Sequence, residues 1–286
     1  MFFNPFAKTI NNFENLDFIC CSLTKVRLLG SILGLGFWLC FVFTCCDSPR
    51  HSEKGNQMQP SEPTKKKRRK IPKDGLVEYK RSDSTLLSRI NYKNYKKHGP
   101  AVGYYRNGNK HNEVVYDQGV KHGSAKIYYE NGNLYRETNY HYGVNNGMQK
   151  LYRNSGKLMA EIPFQQNFPG IGLKEYNLIG KLKTIYPPLI VEGFDSTKFN
   201  NKYIIQAYFE DRSDKAAFYL GELIQGKYLH QNLKSIEASR GKITLTYHVI
   251  PGTSVSKLIN VIGVHTTRLK NPRIVQQSFR LTADNR

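Results

Sequence analysis

Cysteine is missing from most of this 286-residue chain, because all five cysteines lie within the first 46 residues. The rest of the chain therefore contains neither a disulfide nor a cysteine-ligated zinc ion. Acidic residues are also scarce, since 22 Asp and Glu stand against 43 Lys and Arg and leave a net charge of +21. Such a charge favours nucleic acid, anionic lipid or an acidic protein as a partner, without choosing among them.

Motifs of catalysis are lacking as well. No glycine-rich phosphate loop follows a predicted strand and opens a helix, and serine and histidine do not occur in a recognisable nucleophile pattern. We therefore expect a protein that is not an enzyme and that holds no metal ion or cofactor.

What the chain does contain is a repeat of 24 residues between His98 and Gly180. Glycine recurs at two positions of the repeat, and tyrosine and glutamate recur at others. An eroded copy begins at Gly75 and a last copy begins at Gly170, so that five tandem units form one array. The repeated glycines are Gly99, Gly123 and Gly147 in one set, and Gly108, Gly132, Gly156 and Gly180 in the other.

Each unit is predicted to be a β-hairpin. Strand-forming residues flank Asn107-Gly108 and Asn131-Gly132, and Asn-Gly is typical of a type I′ turn with positive φ at both residues. Gly119, Gly143 and the opening glycine of each unit are expected to turn the chain between hairpins. Because a lone hairpin is marginally stable, the units are expected to stack into a single-layer antiparallel meander of about ten strands.

This glycine-delimited pattern, YY-x-NG-x-L…E…Y…G, resembles the MORN-repeat variant of bacterial YwqK-type antitoxin-component proteins. The resemblance covers residues 74–186 and is close in three units. The first unit has Asp83-Ser84 where the others have the turn pair, and the last unit lacks the glutamate. The resemblance implies a repeat protein without catalytic residues, and the family label implies toxin neutralisation.

The array is assigned to residues 74–188, and residues 189–286 are expected to form a small antiparallel β-sandwich without repeats. Pro187-Pro188 ends the array, since proline cannot donate to the strand ladder. A short helix is predicted only at residues 231–238. A docked second domain would cover the exposed last edge of the array. The predicted strands of this domain are residues 202–210, 215–223, 242–250, 256–264 and 273–281.

Residues 1–46 are predicted to be a signal peptide or a membrane anchor. Two basic residues precede the uncharged run Leu28–Cys46, and this arrangement resembles a lipoprotein signal peptide with Cys45 or Cys46 as the lipidation candidate. The threonine before Cys45 departs from the small residue expected there. An uncharged run of 19 residues can also span a bilayer as an uncleaved helix. Both alternatives tether the chain to a membrane.

Residues 47–73 are predicted to be a disordered basic linker, since large apolar residues are almost absent. The linker includes KKKRRK at 65–70, which is interpreted as a solvated tether attracted to anionic headgroups rather than as a nuclear import signal. In lipoproteins of the Bacteroidetes type, acidic residues after the cysteine accompany surface export. The basic linker therefore favours a periplasm-facing location.

The repeated histidines and glutamates are interpreted as structural. His98 and His122 lie two strands apart, about 10 Å, and Asn146 occupies the third position, so they are predicted to be turn residues. A regular row of glutamates is expected to pair with basic residues on adjacent strands rather than to form a catalytic pair. The row is Glu113, Glu137 and Glu161, and the expected partners are Arg106, Lys110, Arg136, Arg153 and Lys157.

The leading hypothesis is a non-enzymatic, membrane-anchored protein of the bacterial envelope that offers its sheet to a protein or a cell-wall polymer. The alternatives are a toxin-neutralising immunity or antitoxin-like protein, and an envelope enzyme acting on glycan. Nucleic acid is not expected as a partner, because the repeat explains the tyrosines structurally. The predicted contact residues are aromatic and basic repeat positions, namely Tyr105, Arg106, Lys126, Tyr129, Lys150 and Arg153.

Overall fold

The computed structural model describes residues 71–286, and the regular secondary structure of these residues is almost entirely β-strand. The repeats build one antiparallel sheet of 11 strands, and most strands pair with their neighbours in sequence. The predicted mostly β fold with a hairpin meander is therefore confirmed. The strands of the sheet are β1 (Gly75–Lys80), β2 (Leu86–Lys93), β3 (Lys96–Tyr104), β4 (Lys110–Asp117), β5 (Val120–Tyr128), β6 (Leu134–His141), β7 (Val144–Asn145), β8 (Gly147–Tyr152), β9 (Leu158–Gln165), β10 (Phe168–Pro169) and β11 (Lys174–Glu175).

The predicted signal or anchor, with Cys45 and Cys46, lies outside the described residues, as do residues 47–70 of the predicted linker. Within residues 71–286, no helix is long and apolar enough to cross a bilayer.

The hairpin turns inside the units differ from the predicted type. Of the pair Asn107-Gly108, only the glycine has a positive φ, at 88°. The Gly108 N–H donates to the Tyr105 carbonyl at 3.2 Å, as in a longer hairpin loop that ends in a glycine bulge. Asn107 stabilises the loop through its side chain, because its Oδ1 accepts a hydrogen bond from the Asn109 N–H at 2.9 Å. The predicted type I′ turn at this position is therefore wrong.

Positive φ at two successive residues occurs instead in the turns between the units. Gln118 and Gly119 have φ values of 49° and 90°, and Tyr142 and Gly143 have values of 47° and 86°. The pair Asp117 and Val120 closes the first of these two-residue turns. Gly119 and Gly143 therefore turn the chain between hairpins, as predicted.

The opening glycines do not turn the chain, which corrects the prediction for Gly99, Gly123 and Gly147. All three lie in strands and have positive φ values of 78°, 84° and 108°. At the first of them the register slips, so that one residue of β2 faces three residues of β3. Each glycine pairs across the sheet with an aromatic residue, for example Gly99 with Tyr116. The glycine is thus a bulge residue whose backbone conformation other residues rarely adopt.

Residues 189–286 form two further antiparallel sheets that enclose a second core. One sheet has the order β12-β13-β16 and the other the order β15-β14-β17-β18. Phe209 and Phe218 are both fully buried between the sheets, with ring centroids 5.9 Å apart. The elements are β12 (Leu189–Ser196), α1 (Thr197–Asn200), β13 (Lys202–Phe209), β14 (Ala217–Leu220), β15 (Lys234–Ile236), β16 (Lys242–His248), β17 (Ser254–Thr266) and β18 (Pro272–Asp284).

The short helix predicted at residues 231–238 is wrong. This segment contains β15, in which Ile236 pairs with Phe218 of β14. The helix of this domain lies instead at α1, between two strands that pair with each other. The local sequence favours a helix near residue 231, but pairing with β14 makes part of this segment a strand. The pairing depends on the tertiary structure and not on the local sequence.

The last repeat unit and the C-terminal sheets are joined through the backbone. The Ile171 N–H donates to the Lys227 carbonyl at 2.9 Å, and the Leu229 N–H donates to the Pro169 carbonyl at 3.2 Å. The fifth unit contributes the two-residue β11 and two isolated bridges, one between Tyr176 and Leu182 and one between Gly170 and Tyr228. The segment around Leu229 thus occupies the position beyond β9 and β10 where further repeat strands were expected.

Candidate functional site

Three of the predicted contact residues tie one repeat unit to the next. The hydroxyls of Tyr105 and Tyr129 donate to the carbonyls of Tyr128 at 2.7 Å and Tyr152 at 2.9 Å. Arg153 occupies the same repeat position, and its Nη2 donates to the Tyr176 carbonyl at 2.7 Å. Burial raises the pKa of Tyr129, which keeps its hydroxyl protonated as a donor. This repeat position therefore holds the turns of successive units together.

The asparagines of the hairpin turns make a second row of inter-unit contacts. Asn107 Nδ2 donates to the Glu130 carbonyl at 2.9 Å, and Asn131 Nδ2 donates to the Asn154 carbonyl at 3.1 Å. Each bond spans 23 residues in sequence. The recurrence of asparagine next to the turn glycine therefore reflects contact between units as well as the turn itself.

Lys126 and Lys150, two further predicted contact residues, lie in a charge row that crosses the sheet. Lys126 is the cross-strand neighbour of Glu113 and of Glu137, and its Nζ lies 3.9 Å from Glu137 Oε1. Opposite charges at such positions stabilise strand pairing by about 0.2–1 kcal/mol each. The charge row comprises Glu113, Lys126, Glu137, Lys150, Glu161 and Lys174 on successive long strands and β11.

The charge row corrects the partners predicted for the glutamates. Lys110 is a partner of Glu113, with Nζ 3.4 Å from Oε2, but both residues lie in β4 rather than on adjacent strands as predicted. The partner of Glu161 is Lys174 at 3.9 Å rather than Lys157, which donates to the Leu178 carbonyl at 3.3 Å. Tyrosine hydroxyls also donate to this row, for instance Tyr128 to Glu113 at 3.1 Å. Arg106 lies apart from the row, exposed in a hairpin turn.

The opposite face of the sheet carries a row of aromatic rings and lysines. Glu113 and Tyr116 are three positions apart in β4, so their side chains point to opposite faces. Lys97 Nζ lies 5.0 Å from the ring centroid of Tyr116, and Lys121 Nζ lies 5.0 Å from that of Tyr140. We call Tyr92, Lys97, Tyr116, Lys121, Tyr140 and Phe164 the aromatic–lysine stripe.

Exposure differs along the aromatic–lysine stripe. Tyr92 and Phe164 at its ends are buried, at 9 % exposure each, whereas the four residues between them are half-buried. Burial and a hydrogen bond with Tyr79 raise the pKa of Tyr92 to about 12. The 24-residue spacing of these aromatic residues is visible in the sequence. Lys97 and Lys121, which lie over the rings, are not among the predicted contact residues.

The repeated histidines do not meet each other. His98 Nδ1 lies 3.3 Å from Asp117 Oδ1, while the ring centroid of His122 lies 5.4 Å from that of His141. The ring of Tyr142, 69 % exposed, lies against both His122 and His141. Both histidines therefore contact residues beside the turns between units. The 24-residue spacing of the histidines does not predict these partners. Among residues 71–286, no three His, Cys, Asp or Glu side chains come together to hold a metal ion.

Comparison with known proteins bears on the repeats alone. The MORN repeat variant family matches residues 121–142, which span the hairpin of β5 and β6. This match supports a MORN-repeat protein, a class built from hairpin units and generally non-enzymatic. No curated protein and no solved structure is significantly similar to the chain.

Proposed function

We propose that this protein is a non-enzymatic, membrane-tethered component of a bacterial cell envelope. Its repeat sheet binds an extended partner, either a protein or a cell-wall polymer. The observation that supports this proposal best is the aromatic–lysine stripe, because it presents the same pair of groups in successive units.

The stripe suits an extended partner for two reasons. Its tyrosines lie on strands two apart, so equivalent contacts recur at about 10 Å along the sheet. Ring faces pack against apolar or sugar surfaces, and the lysine heads attract anionic groups of the same partner. The charge row on the other face is less suited to this role, since its lysines are already neutralised by cross-strand glutamates.

The binding role is tested with full-length protein in which Lys97 and Lys121 are both replaced by glutamine. We expect binding to fall by about 5–30-fold, since each lost cation contact is worth about 0.5–1 kcal/mol. Binding is measured by co-sedimentation with isolated cell walls and by photo-crosslinking from the Tyr116 position to a protein partner. A variant with Lys93→Gln and Lys96→Gln is the matched control, because it removes the same charge from the exposed strand ends on either side of the turn between β2 and β3.

Equal loss of binding in both double variants would contradict a role of the stripe. A wild-type protein that neither sediments with cell walls nor crosslinks from this face would contradict the binding role as a whole.

Membrane tethering is tested separately by metabolic labelling with a palmitate analogue. We expect label in the wild-type protein and its loss in Cys45→Ala, in Cys46→Ala or in the double variant, because thioether-linked lipid requires that cysteine. Full-length protein that stays in the membrane without label would replace lipidation by a transmembrane anchor. A soluble, full-length product would overturn the tether.

A further inference from the structure

A basic pocket of about 260 Å³ lies where the fifth repeat unit meets the turn between β17 and β18. Four cationic residues from three separate parts of the chain line it, together with one glutamate and two leucines. The cationic residues are Arg153, Lys181, Lys183 and Arg268. The glutamate is Glu175, and the leucines are Leu182 and Leu269.

The one carboxylate of the basic pocket is already engaged. Glu175 Oε1 accepts the Thr267 hydroxyl at 2.6 Å and Asn271 Nδ2 at 2.7 Å. Its Oε2 accepts the Tyr186 hydroxyl at 3.4 Å and lies 3.7 Å from Lys183 Nζ. Glu175 therefore neutralises Lys183, whereas Arg153, Lys181 and Arg268 have no ion-pair partner within residues 71–286.

Arginine occupies this repeat position in two units, as Arg153 here and as Arg81 in the first unit, where Arg81 likewise donates to a carbonyl of the next unit, that of Tyr104. Tyrosine stands at the same repeat position in two other units, where its single donor bonds the next unit. Arg153 makes that bond with Nη2, yet it brings further N–H groups. Its Nε is shielded from solvent and has no hydrogen-bond partner among residues 71–286. Arg153 also lines the basic pocket, so its remaining terminal N–H groups are available to an anion bound there.

We propose that the basic pocket binds a phosphate monoester with a small organic group. The guanidinium of Arg153 presents its N–H groups to the phosphate oxygens in the planar fork that suits this anion. Lys181 and Arg268 neutralise the second charge. The volume exceeds that of a bare phosphate ion, and the remaining space is lined by Leu182 and Leu269, against which the organic group packs. This inference is independent of the aromatic–lysine stripe.

The test uses full-length protein and compares sn-glycerol 3-phosphate, inorganic phosphate and glycerol by calorimetry and by thermal unfolding. We expect sn-glycerol 3-phosphate to bind more tightly than inorganic phosphate, and glycerol not to bind. Flotation with phosphatidylcholine vesicles, with and without phosphatidic acid, separates a lipid headgroup from a free phosphate ester. Retention by phosphatidic acid that Arg268→Gln abolishes would assign the phosphate to a lipid, while binding of the soluble ester alone would assign it to a small molecule.

Arg153→Tyr and Arg268→Gln are each expected to weaken binding by about tenfold or more, the value of one charge-assisted hydrogen bond. The first variant introduces the tyrosine found at this position in two other units, and it keeps a donor for the Tyr176 carbonyl. Arg106→Gln is the matched control, since it removes the same charge from an exposed hairpin turn outside the pocket. If Arg153→Tyr disturbs the circular dichroism spectrum, Arg268→Gln decides alone, because Arg268 is exposed.

Two results would overturn the proposal. One is a wild-type protein that binds neither phosphate nor its glycerol ester at millimolar concentration. The other is an equal loss of binding in all three arginine variants, which would indicate only diffuse attraction to a basic protein.

Discussion

Replacing Phe218 by alanine is expected to lower the free energy of unfolding by about 3–5 kcal/mol. Phe218 is fully buried between the two C-terminal sheets and lies 5.9 Å, ring centroid to ring centroid, from Phe209. The substitution removes the apolar contacts of a whole ring and leaves a cavity that the paired strands around it cannot close. Urea unfolding followed by circular dichroism measures the effect.

Phe199→Ala is the matched control for this prediction. The same chemical change is made in α1, where the ring is 92 % exposed, and it should change the free energy of unfolding by less than about 0.5 kcal/mol. Similar losses in the two variants would show that Phe218 does not belong to a packed core.

Replacing Glu175 by alanine is expected to lower the free energy of unfolding by about 3–5 kcal/mol, although the residue lies in a strand of only two residues. The residue is 1 % exposed, and its carboxylate accepts hydrogen bonds from Thr267 and Asn271, which are buried as well. Alanine would leave both donors unpaired, together with the Nζ group of Lys183. Because Thr267 and Asn271 lie in the turn between β17 and β18, the loss should also separate the unfolding of the array from that of the C-terminal sheets.

Two further variants locate the origin of this effect. Glu175→Gln keeps an oxygen acceptor for the two donors and should cost less than the alanine variant. Glu137→Ala removes a glutamate from the charge row, where the side chain is 28 % exposed, and should cost about 1 kcal/mol or less. If Glu175→Ala lowers the free energy of unfolding no more than Glu137→Ala does, the buried hydrogen bonds of Glu175 do not stabilise the contact between the array and the C-terminal sheets. Scanning calorimetry distinguishes one unfolding transition from two.

The local sequence predicts where the hairpins turn but not the type of turn. Asn107-Gly108 correctly predicts a hairpin, because glycine accepts positive φ at little cost. The pair does not predict the turn type, since Asn107 bonds a carbonyl of the next unit, 23 residues away. The same limit applies to Gly99, which forms a bulge under the aromatic residue of a neighbouring strand.

The contact residues show a second limit. Tyr105 and Tyr129 were predicted to face a partner, and their hydroxyls instead reach the backbone of the following unit. A tyrosine at a regular repeat position suits an exposed contact and an inter-unit bond equally well. The register of the sheet decides between them.

The sequence by itself determined the period, the hairpin unit, the mostly β composition and the strand alternation of β16, because these depend on neighbouring residues and on backbone preferences. Only the tertiary structure decided which lysines are neutralised, which tyrosines tie the units together, and that Glu175 is buried against Thr267 and Asn271. Those outcomes depend on cross-strand register and on contacts between segments more than 90 residues apart, as with the pair of Glu175 and Thr267. No local pattern encodes them, because each partner's position is set by the packing of the elements between.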